Sequence, residues 1–486
     1  MTVAPSSDVP VGWRPVRQAD ATLVAQLADD VARRIDDQGL RPGTRLPSIR
    51  KMAQQAGVSR FTVVEAYDRL VARGLVQSRR GAGFFVRARR GPLAPVAGSG
   101  PAGNTGLAPP ARIDVAWLLR SMFREPSALA MPGGAGLLPA DWLDPDMVAA
   151  AVRAVGRSVR GQLVSYGSEL GYGPLRQQLA SRLQAEGVPA HPDRNLLTTN
   201  GVTHGLDLIA RHLVRPGDAV LVEDPAWFVI FGRLAAFGAR LVGVPRGPDG
   251  PDLQQLDRLA ALHKPRLFIV NTAVHNPTGH TLSAGAAYDI LRLAERHDFL
   301  VVEDDTYGEL HPGGATKLAS LDRLNRVILA GGFSKMLAAS LRVGYLAANE
   351  ELVRKLADLK MLAGLTTPEL GERVVHRVLV EGQYRRHIER VRARVNTARQ
   401  RCLAALAGLG VSVRHEPHAG MFVWADCGRD SESVARAAAS RGLLLAPGSL
   451  FSPAQAPSTM MRFSVAMVDT PGIWDALAGV LAEPGH

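Results

Sequence analysis

The chain has 486 residues, of which 46% are hydrophobic and 21% charged, so it is long enough for about three compact units with buried cores. No apolar run approaches the ~18 residues that cross a bilayer, and no secretion signal is predicted, because the first residues lack a basic stretch followed by an apolar one. Cys402 and Cys427 show no metal-ligand spacing. Two cysteines do not form a disulfide framework, so this composition fits a protein of the reducing cytoplasm. The same spacing predicts no metal site.

The net charge of +12 is unevenly distributed. Residues 1–90 contain 16 Lys or Arg and 8 Asp or Glu, so they contribute +8 in less than a fifth of the chain. A basic segment of this size favours binding to phosphate backbones through counterion release. Charge alone fits an arginine-rich soluble surface equally well.

Three short helices are the first elements predicted along the chain. Four apolar residues recur every four positions and predict the buried face of the first helix: Leu23, Leu27, Val31 and Ile35. Ser48 can cap a second helix over 49–56, which ends at Gly57. Ser59 can cap a third helix over 60–73. Two short helices joined by a tight glycine turn form a helix-turn-helix, whose second helix can enter the major groove of DNA.

A hairpin is predicted next, because residues 75–77 and 84–86 flank a basic, glycine-rich turn. The groups expected to meet DNA lie at the starts of the second and third helices and at the hairpin tip: Arg50, Ser59, Arg60, Thr62, Arg80 and Gly81. The alternative is a helical hairpin used for protein contacts.

The segment over residues 20–87 resembles the GntR-type winged helix-turn-helix across its whole length, above all in the run LRPGTRLPSIRKMAQQAGVSRFTVVEAYDRLVARGLVQSRRGAGFFV. The resemblance implies that four residues contact DNA: Arg50, Arg60, Thr62 and Gly81. A DNA-binding domain is therefore predicted over 16–90.

A linker is predicted over 91–124, because residues 91–111 contain no charge and ten of these 21 residues are Gly or Pro. The rest of the chain, 125–486, alternates apolar runs with helical segments. Four of the runs are strand-like: 218–224, 266–272, 299–305 and 326–332. Strands that alternate with helices predict an α/β fold, a mostly parallel sheet covered by helices on both faces.

Lys335 is the most informative residue of this large part. It lies in the run Gly-Gly-Phe-Ser-Lys-Met over 331–336, and the chain has only six lysines. An amine in such a loop after an apolar strand can condense with the aldehyde of pyridoxal phosphate (PLP). The alternative is an exposed loop lysine.

Other residues supply what PLP needs besides an amine. Asp304, at the end of an apolar run, can pair with the pyridine nitrogen, although a carboxylate at a strand end is often a helix cap. Tyr307 and Asn276 can hydrogen-bond the phenolic oxygen. Trp227 offers a flat face for stacking, although a lone tryptophan is more often part of a core.

The phosphate of PLP needs a site of its own. The backbone amides of Val202 and Thr203 lie where a helix is predicted to begin, which suits an anion. The guanidinium group of Arg342 can bind the phosphate through two donors.

These motifs, in this order from about residue 125, resemble the fold-type I aminotransferases of the aspartate aminotransferase superfamily, with a mostly parallel large-domain sheet and a smaller α+β carboxyl-terminal part. The resemblance implies that Tyr166 reaches the phosphate of a neighbouring subunit, and that Arg462 grips the carboxylate of a substrate or effector. Position 332, usually Ser or Thr in relatives, is glycine here; Ser334 is the nearby hydroxyl that can contact the phosphate.

A winged GntR module, a linker and an aminotransferase-like domain resemble the MocR subfamily of transcription regulators. That resemblance implies a head-to-tail homodimer in the cytoplasm, each DNA-binding module packing on the partner's large domain, and a paired site on double-stranded DNA. It also implies regulation by PLP or by an amine or amino acid joined to it. The alternatives are an aminotransferase whose amino-terminal module is accessory, and a DNA-binding protein with an inactive pocket.

Overall fold

The computed structural model describes residues 21–36, 40, 42–79, 81–87, 131–158 and 164–482. These residues form two compact units, one before and one after residue 105. The predicted linker over 91–124 lies outside the described residues. No helix in the described ranges is long and apolar enough to cross a membrane.

The amino-terminal unit contains three helices and a hairpin, as predicted. Its elements are α1 (Leu23–Asp36), α2 (Ile49–Ala56), α3 (Arg60–Ala72), β1 (Val76–Arg79) and β2 (Gly83–Val86). The Ser48 hydroxyl accepts a hydrogen bond from the Lys51 amide at 3.3 Å, and the Ser59 hydroxyl accepts one from the Thr62 amide at 3.0 Å. Both predicted caps are therefore confirmed. Strand β1 begins one residue later than predicted.

A small core holds α3 against the rest of this unit. Leu27 and Val31 of α1 are buried, and so is the inner face of α3, which includes Tyr67. The Tyr67 hydroxyl donates to the Pro47 carbonyl at 3.0 Å, and its ring packs edge-on against Phe84 at 4.9 Å. These contacts join α3 to both the turn before α2 and the hairpin.

The second unit is built on an eight-stranded sheet in the order β3-β10-β9-β8-β7-β4-β5-β6. The strands are β3 (Leu196–Thr199), β4 (Ala219–Asp224), β5 (Arg240–Gly247), β6 (Gly250–Pro251), β7 (Leu267–Asn271), β8 (Leu300–Asp304), β9 (Val327–Gly332) and β10 (Gly344–Ala347). The pairs from β5 through β4, β7 and β8 to β9 are parallel, whereas β10 and β6 run antiparallel to their neighbours. The predicted mostly parallel sheet is confirmed.

Helices pack around this sheet and, in the carboxyl-terminal part of the chain, around a smaller one. They are α4 (Pro145–Ser158), α5 (Gly173–Ala185), α6 (Gly201–Leu213), α7 (Phe228–Ala236), α8 (Leu253–His263), α9 (Ala284–His297), α10 (Leu318–Asp322), α11 (Glu350–Gly364), α12 (Glu369–Val380), α13 (Gln383–Gly408), α14 (Ser431–Ser440) and α15 (Ile473–Ala482). A three-stranded antiparallel sheet forms the smaller carboxyl-terminal part, in the order β11-β13-β12. Its strands are β11 (Phe422–Asp426), β12 (Ala446–Pro447) and β13 (Met460–Ser464).

The central strands end in polar or small residues at one edge of the sheet. Strands β4, β7 and β8 are almost continuously apolar and end at Asp224, Asn271 and Asp304, and β9 ends at Gly332. Helices on both faces bury the apolar runs, so the polar ends are left at the carboxyl edge. In open α/β sheets this edge is where ligands bind.

Candidate functional site

A cavity lies at this carboxyl edge. It has a volume of about 890 Å³, including its opening to solvent. The structure brings nine of the ten predicted cofactor residues to its walls: Val202, Thr203, Trp227, Asn276, Asp304, Tyr307, Ser334, Lys335 and Arg342. The strand order therefore gathers residues from five separate motifs.

Lys335 follows β9, and its side chain is directed into the cavity. Its Nζ donates to the Gly136 carbonyl at 2.8 Å. Burial, together with the positive charges of Arg462 and Arg342, lowers the pKa of the Lys335 amine to about 8. A larger fraction of this amine is thus unprotonated near neutral pH than for an exposed lysine, which suits a nucleophile.

Asp304 ends β8 beneath the cavity and is held from two sides. The Thr306 amide donates to its Oδ1 at 2.9 Å, and the Asn271 side chain donates to its backbone carbonyl at 2.6 Å. Burial raises the pKa of Asp304 to about 6, so the carboxylate is still largely ionised at pH 7. A buried carboxylate of this kind is suited to a cationic partner, and the protonated ring nitrogen of PLP is one.

Asn276 and Tyr307 meet on the other side of the cavity. The Asn276 Nδ2 lies 3.4 Å from the Tyr307 hydroxyl, and the Tyr307 ring packs edge-on against Phe422 at 5.6 Å. Burial raises the pKa of Tyr307, so its hydroxyl stays protonated and is able to donate. Two neighbouring donors suit a phenolate oxygen.

A basic, amide-rich corner lies where α6 begins. Arg342 donates to the Asn200 carbonyl at 3.0 Å and to the Ser334 hydroxyl at 3.2 Å. Gly201 has φ +74°, and a Cβ there would lie 2.6 Å from the Arg342 Nη2. Because the first amides of a helix have no carbonyl partner within it, this corner fits a phosphate.

Gly332, where the resemblance implies Ser or Thr, lies close to the same corner. A Cβ at this position would be 3.3 Å from the Val202 Cγ2 and 3.2 Å from the Val343 carbonyl oxygen. Glycine therefore lets β9 approach the start of α6 closely, and Ser334 is the hydroxyl nearest to Arg342. Whether Ser334 contacts the phosphate stays a prediction.

Arg462 of β13 lies beside the cavity and is already engaged within the chain. Its Nη1 donates to the Asn276 Oδ1 at 2.8 Å and its Nη2 to the Gly134 carbonyl at 2.6 Å. Its guanidinium carbon lies 4.3 Å from the centre of the Phe422 ring. Its Nε is buried and has no hydrogen-bond partner among the described residues, and the predicted grip on a carboxylate stays a prediction.

Tyr166 is the one predicted cofactor residue that the structure does not bring to the cavity. Its side chain is 79% exposed on the surface of the unit. The sequence resemblance assigns it to a neighbouring subunit's phosphate, and that role stays a prediction.

Sequence reasoning missed a buried polar cluster in the cavity wall. Glu223 and His275 line the cavity, and Glu223 forms a fully buried ion pair with Arg246. The His275 Nε2 lies 3.4 Å from the Glu223 carboxylate, and the backbone amide of Asn271 donates to the same carboxylate at 2.8 Å. Burial lowers the pKa of His275 to about 4, so this ring is neutral. The available signal was the carboxylate that interrupts an otherwise apolar strand.

The residues present therefore fit PLP: an amine, a buried carboxylate, phenolate donors and a phosphate corner occupy one cavity. When bound, PLP supplies an aldehyde for the amine and an electron-withdrawing ring. In the part of the chain that the structure describes, no group of three or more His, Cys, Asp or Glu is arranged to hold a metal ion.

The predicted DNA-contacting residues differ in their surroundings. Arg50, Ser59, Arg60 and Gly81 are exposed. Ser59 and Thr62 are occupied in the cap of α3, where their hydroxyl oxygens are 2.8 Å apart. Arg80 lies outside the described residues. Contact of all these residues with DNA stays a prediction.

Comparison with known proteins gives two family matches. Residues 134–478 match the model of aminotransferase class I and II. Residues 23–86 match the model of bacterial regulatory proteins of the gntR family.

Individual relatives fall into the same two groups. The 2-aminoadipate transaminase of Thermus thermophilus is 34% identical over 75% of this chain and 94% of its own length. The "Probable rhizopine catabolism regulatory protein MocR" of Rhizobium meliloti is 29% identical over 89% of this chain and 87% of its own length. Among solved structures, LysN, the α-aminoadipate aminotransferase of Thermus thermophilus complexed with N-(5'-phosphopyridoxyl)-L-leucine, superposes with a TM-score of 0.68 at 29% identity, covering 75% of this chain and 95% of that one.

Proposed function

Because this chain belongs to the family of class I and II aminotransferases and carries a gntR-type module, we propose that it is a transcription regulator of the MocR type. PLP is its cofactor, held by Lys335. The regulator senses PLP itself, or an amine or amino acid joined to it, and binds double-stranded DNA in response. Such a protein acts on the chromosome, which implies the cytoplasm.

The observation that carries this proposal is the presence of both parts on one chain. The cavity offers every group that PLP needs, and the amino-terminal unit is a helix-turn-helix with a hairpin wing and exposed basic residues at the starts of α2 and α3. The relative MocR, named as a regulatory protein, matches across both parts. An enzyme alone has no need of the first unit.

Thermodynamic linkage gives a physical reason for a PLP site and a DNA-binding unit to occur on one chain. A ligand shifts an equilibrium only by the difference in its affinity for the two states. If PLP prefers the state that binds DNA, DNA must strengthen PLP binding by the same factor, and the converse holds for the other state. Sensing therefore requires no turnover.

A second copy of the chain is the partner that the surface of the large unit favours. Five exposed apolar side chains lie in two segments: Val164, Tyr166, Leu362, Leu365 and Leu370. The segments touch, since a Cβ at Gly167 would lie 3.0 Å from the Glu369 carboxylate. An exposed apolar patch commonly marks a protein interface. We infer a homodimer through this patch, with Tyr166 presented to the partner.

A catalytic aminotransferase is the second candidate. The 34% identity to a transaminase favours it, and each residue needed for sensing PLP is also needed for catalysis.

The experiment that separates the two candidates measures DNA retention and turnover on the same PLP-loaded protein. A random pool of duplex DNA is selected on the full-length chain, and transamination is followed with a panel of amino donors and keto acceptors. We expect enrichment of a sequence with paired half-sites. Robust multiple turnover without any enriched DNA would instead establish the enzyme.

Two arginines of α3 provide a matched pair for this experiment. Arg60 lies at the exposed start of the helix and Arg69 lies nine residues later, about half a turn around the axis. Arg60→Ala should weaken binding to all sequences and reduce the salt dependence by about one counterion. Arg69→Ala removes the same charge and should bind as the unaltered chain does.

A further inference from the structure

Helix α3 carries apolar side chains on its solvent face as well as on its buried face. The buried face consists of four residues that lie in the core: Val63, Ala66, Tyr67 and Leu70. Phe61 is nevertheless 74% exposed, and Val64, three residues later on the same side, is 37% exposed. These two side chains are therefore not part of the core of this unit, and an apolar surface of this kind favours a partner that covers it.

Two polar neighbours of Phe61 are engaged in the cap of the helix. The Ser59 hydroxyl accepts from the Thr62 amide at 3.0 Å and lies 2.8 Å from the Thr62 hydroxyl. Both hydroxyls thus serve the helix cap. The exposed side chains at the start of α3 are Arg60 and Phe61.

The charges around this end of the helix indicate the chemistry of the partner. Four basic side chains of the unit are exposed near the starts of α2 and α3 and on the hairpin: Arg50, Lys51, Arg60 and Arg79. Farther along α3 the exposed charges are mixed, since Glu65 and Asp68 lie beside Arg69, so the carboxyl half of the helix attracts phosphates less than its amino-terminal end does. A polyanion therefore meets the amino-terminal end, where Phe61 is.

Duplex DNA offers one apolar group at the base edges of its major groove, the C5-methyl of thymine. We propose that Phe61, flanked by Val64, forms an apolar reader that packs against a thymine methyl group in each half-site. The proposal rests on the DNA-binding function proposed above. If so, the chain selects its DNA sequence through a thymine methyl group as well as through hydrogen bonds to the bases.

The test removes the methyl group from the DNA. The probe is the duplex enriched from the random pool by the full-length, PLP-loaded chain, with each thymine replaced in turn by deoxyuridine. At one position per half-site the replacement should weaken binding roughly three- to tenfold, the usual scale for one buried methyl. The Phe61→Ala variant should bind thymine and deoxyuridine duplexes equally at that position.

Val71→Ala is the matched control, because Val71 is an exposed apolar residue about 15 Å farther along the same helix. This variant should retain the full sensitivity to deoxyuridine. Two results would overturn the proposal: no thymine whose methyl matters, or a Phe61→Ala variant that remains as sensitive as the unaltered chain. Failure to enrich any sequence would count against DNA binding itself, so the two failures are distinguishable.

Discussion

Replacing Lys335 with alanine is expected to abolish covalent capture of PLP completely. Lys335 is the one lysine among the described residues that line the cavity, and no other side chain there can condense with an aldehyde. Purified protein should be yellow, and borohydride reduction followed by peptide mass spectrometry should find the cofactor on Lys335. The alanine variant should show neither the colour nor the adduct.

PLP should modify Lys335 and no other buried lysine, and the rate of capture should depend on pH. Lys360 also has a pKa lowered to about 8, chiefly by burial, but its amine is bonded to the Thr198 carbonyl at 3.2 Å away from the cavity, so it should remain unmodified. Capture by cofactor-free protein should accelerate as pH rises and level off above about 8, because the reactive form is the neutral amine. The exposed variant Lys355→Ala is the control. An adduct that persists in the Lys335→Ala protein would refute the assignment.

Replacing Asp304 with asparagine is expected to weaken PLP binding by roughly 10- to 100-fold, the scale of a hydrogen bond to a charged group inside a protein. The amide keeps the shape of the carboxylate but cannot neutralise a protonated ring nitrogen. Equilibrium titration of cofactor-free protein measures the loss. The control is Asp298→Asn, since Asp298 is exposed and paired with Arg326 at the surface.

The pH dependence of this binding follows from the same carboxylate. Its pKa is raised to about 6 without cofactor, so acidification below pH 6 protonates Asp304 and removes the ion pair. PLP affinity should therefore fall more steeply on the acid side in the unaltered chain than in the asparagine variant, where only protonation of the Lys335 amine remains. Equal affinities of the two proteins across this range would contradict the role given to Asp304.

Much of this architecture was predictable because its signals are local. Ser48 and Ser59 each cap the helix that follows, and a cap requires only the hydroxyl and an amide a few residues later. The apolar strands were predictable for a similar reason, since a strand buried on both faces is a continuous apolar run. The carboxyl ends of those strands then place Asp304 and Lys335 in one cavity.

The features that escaped prediction depend on distant residues. Arg246 of β5 forms its ion pair with Glu223 of β4, which lies 23 residues earlier in the chain. No local sequence pattern around either residue predicts this pair. The contacts of Arg462 with Asn276 and Gly134 span 186 and 328 residues. A resemblance assigned Arg462 to a carboxylate, but only the packing of β13 shows that its guanidinium is engaged within the chain.

Reciprocal binding measurements show whether the cofactor cavity sets the affinity of the chain for DNA. The dissociation constant of the enriched duplex is measured with PLP-saturated and cofactor-free full-length protein, and that of PLP with and without the duplex. We expect both constants to change by one common factor, on the order of 5 to 150, and we expect Lys335→Ala to diminish that factor. Identical DNA affinities in the PLP-saturated and cofactor-free proteins would show that the cavity and the DNA-binding unit are not linked.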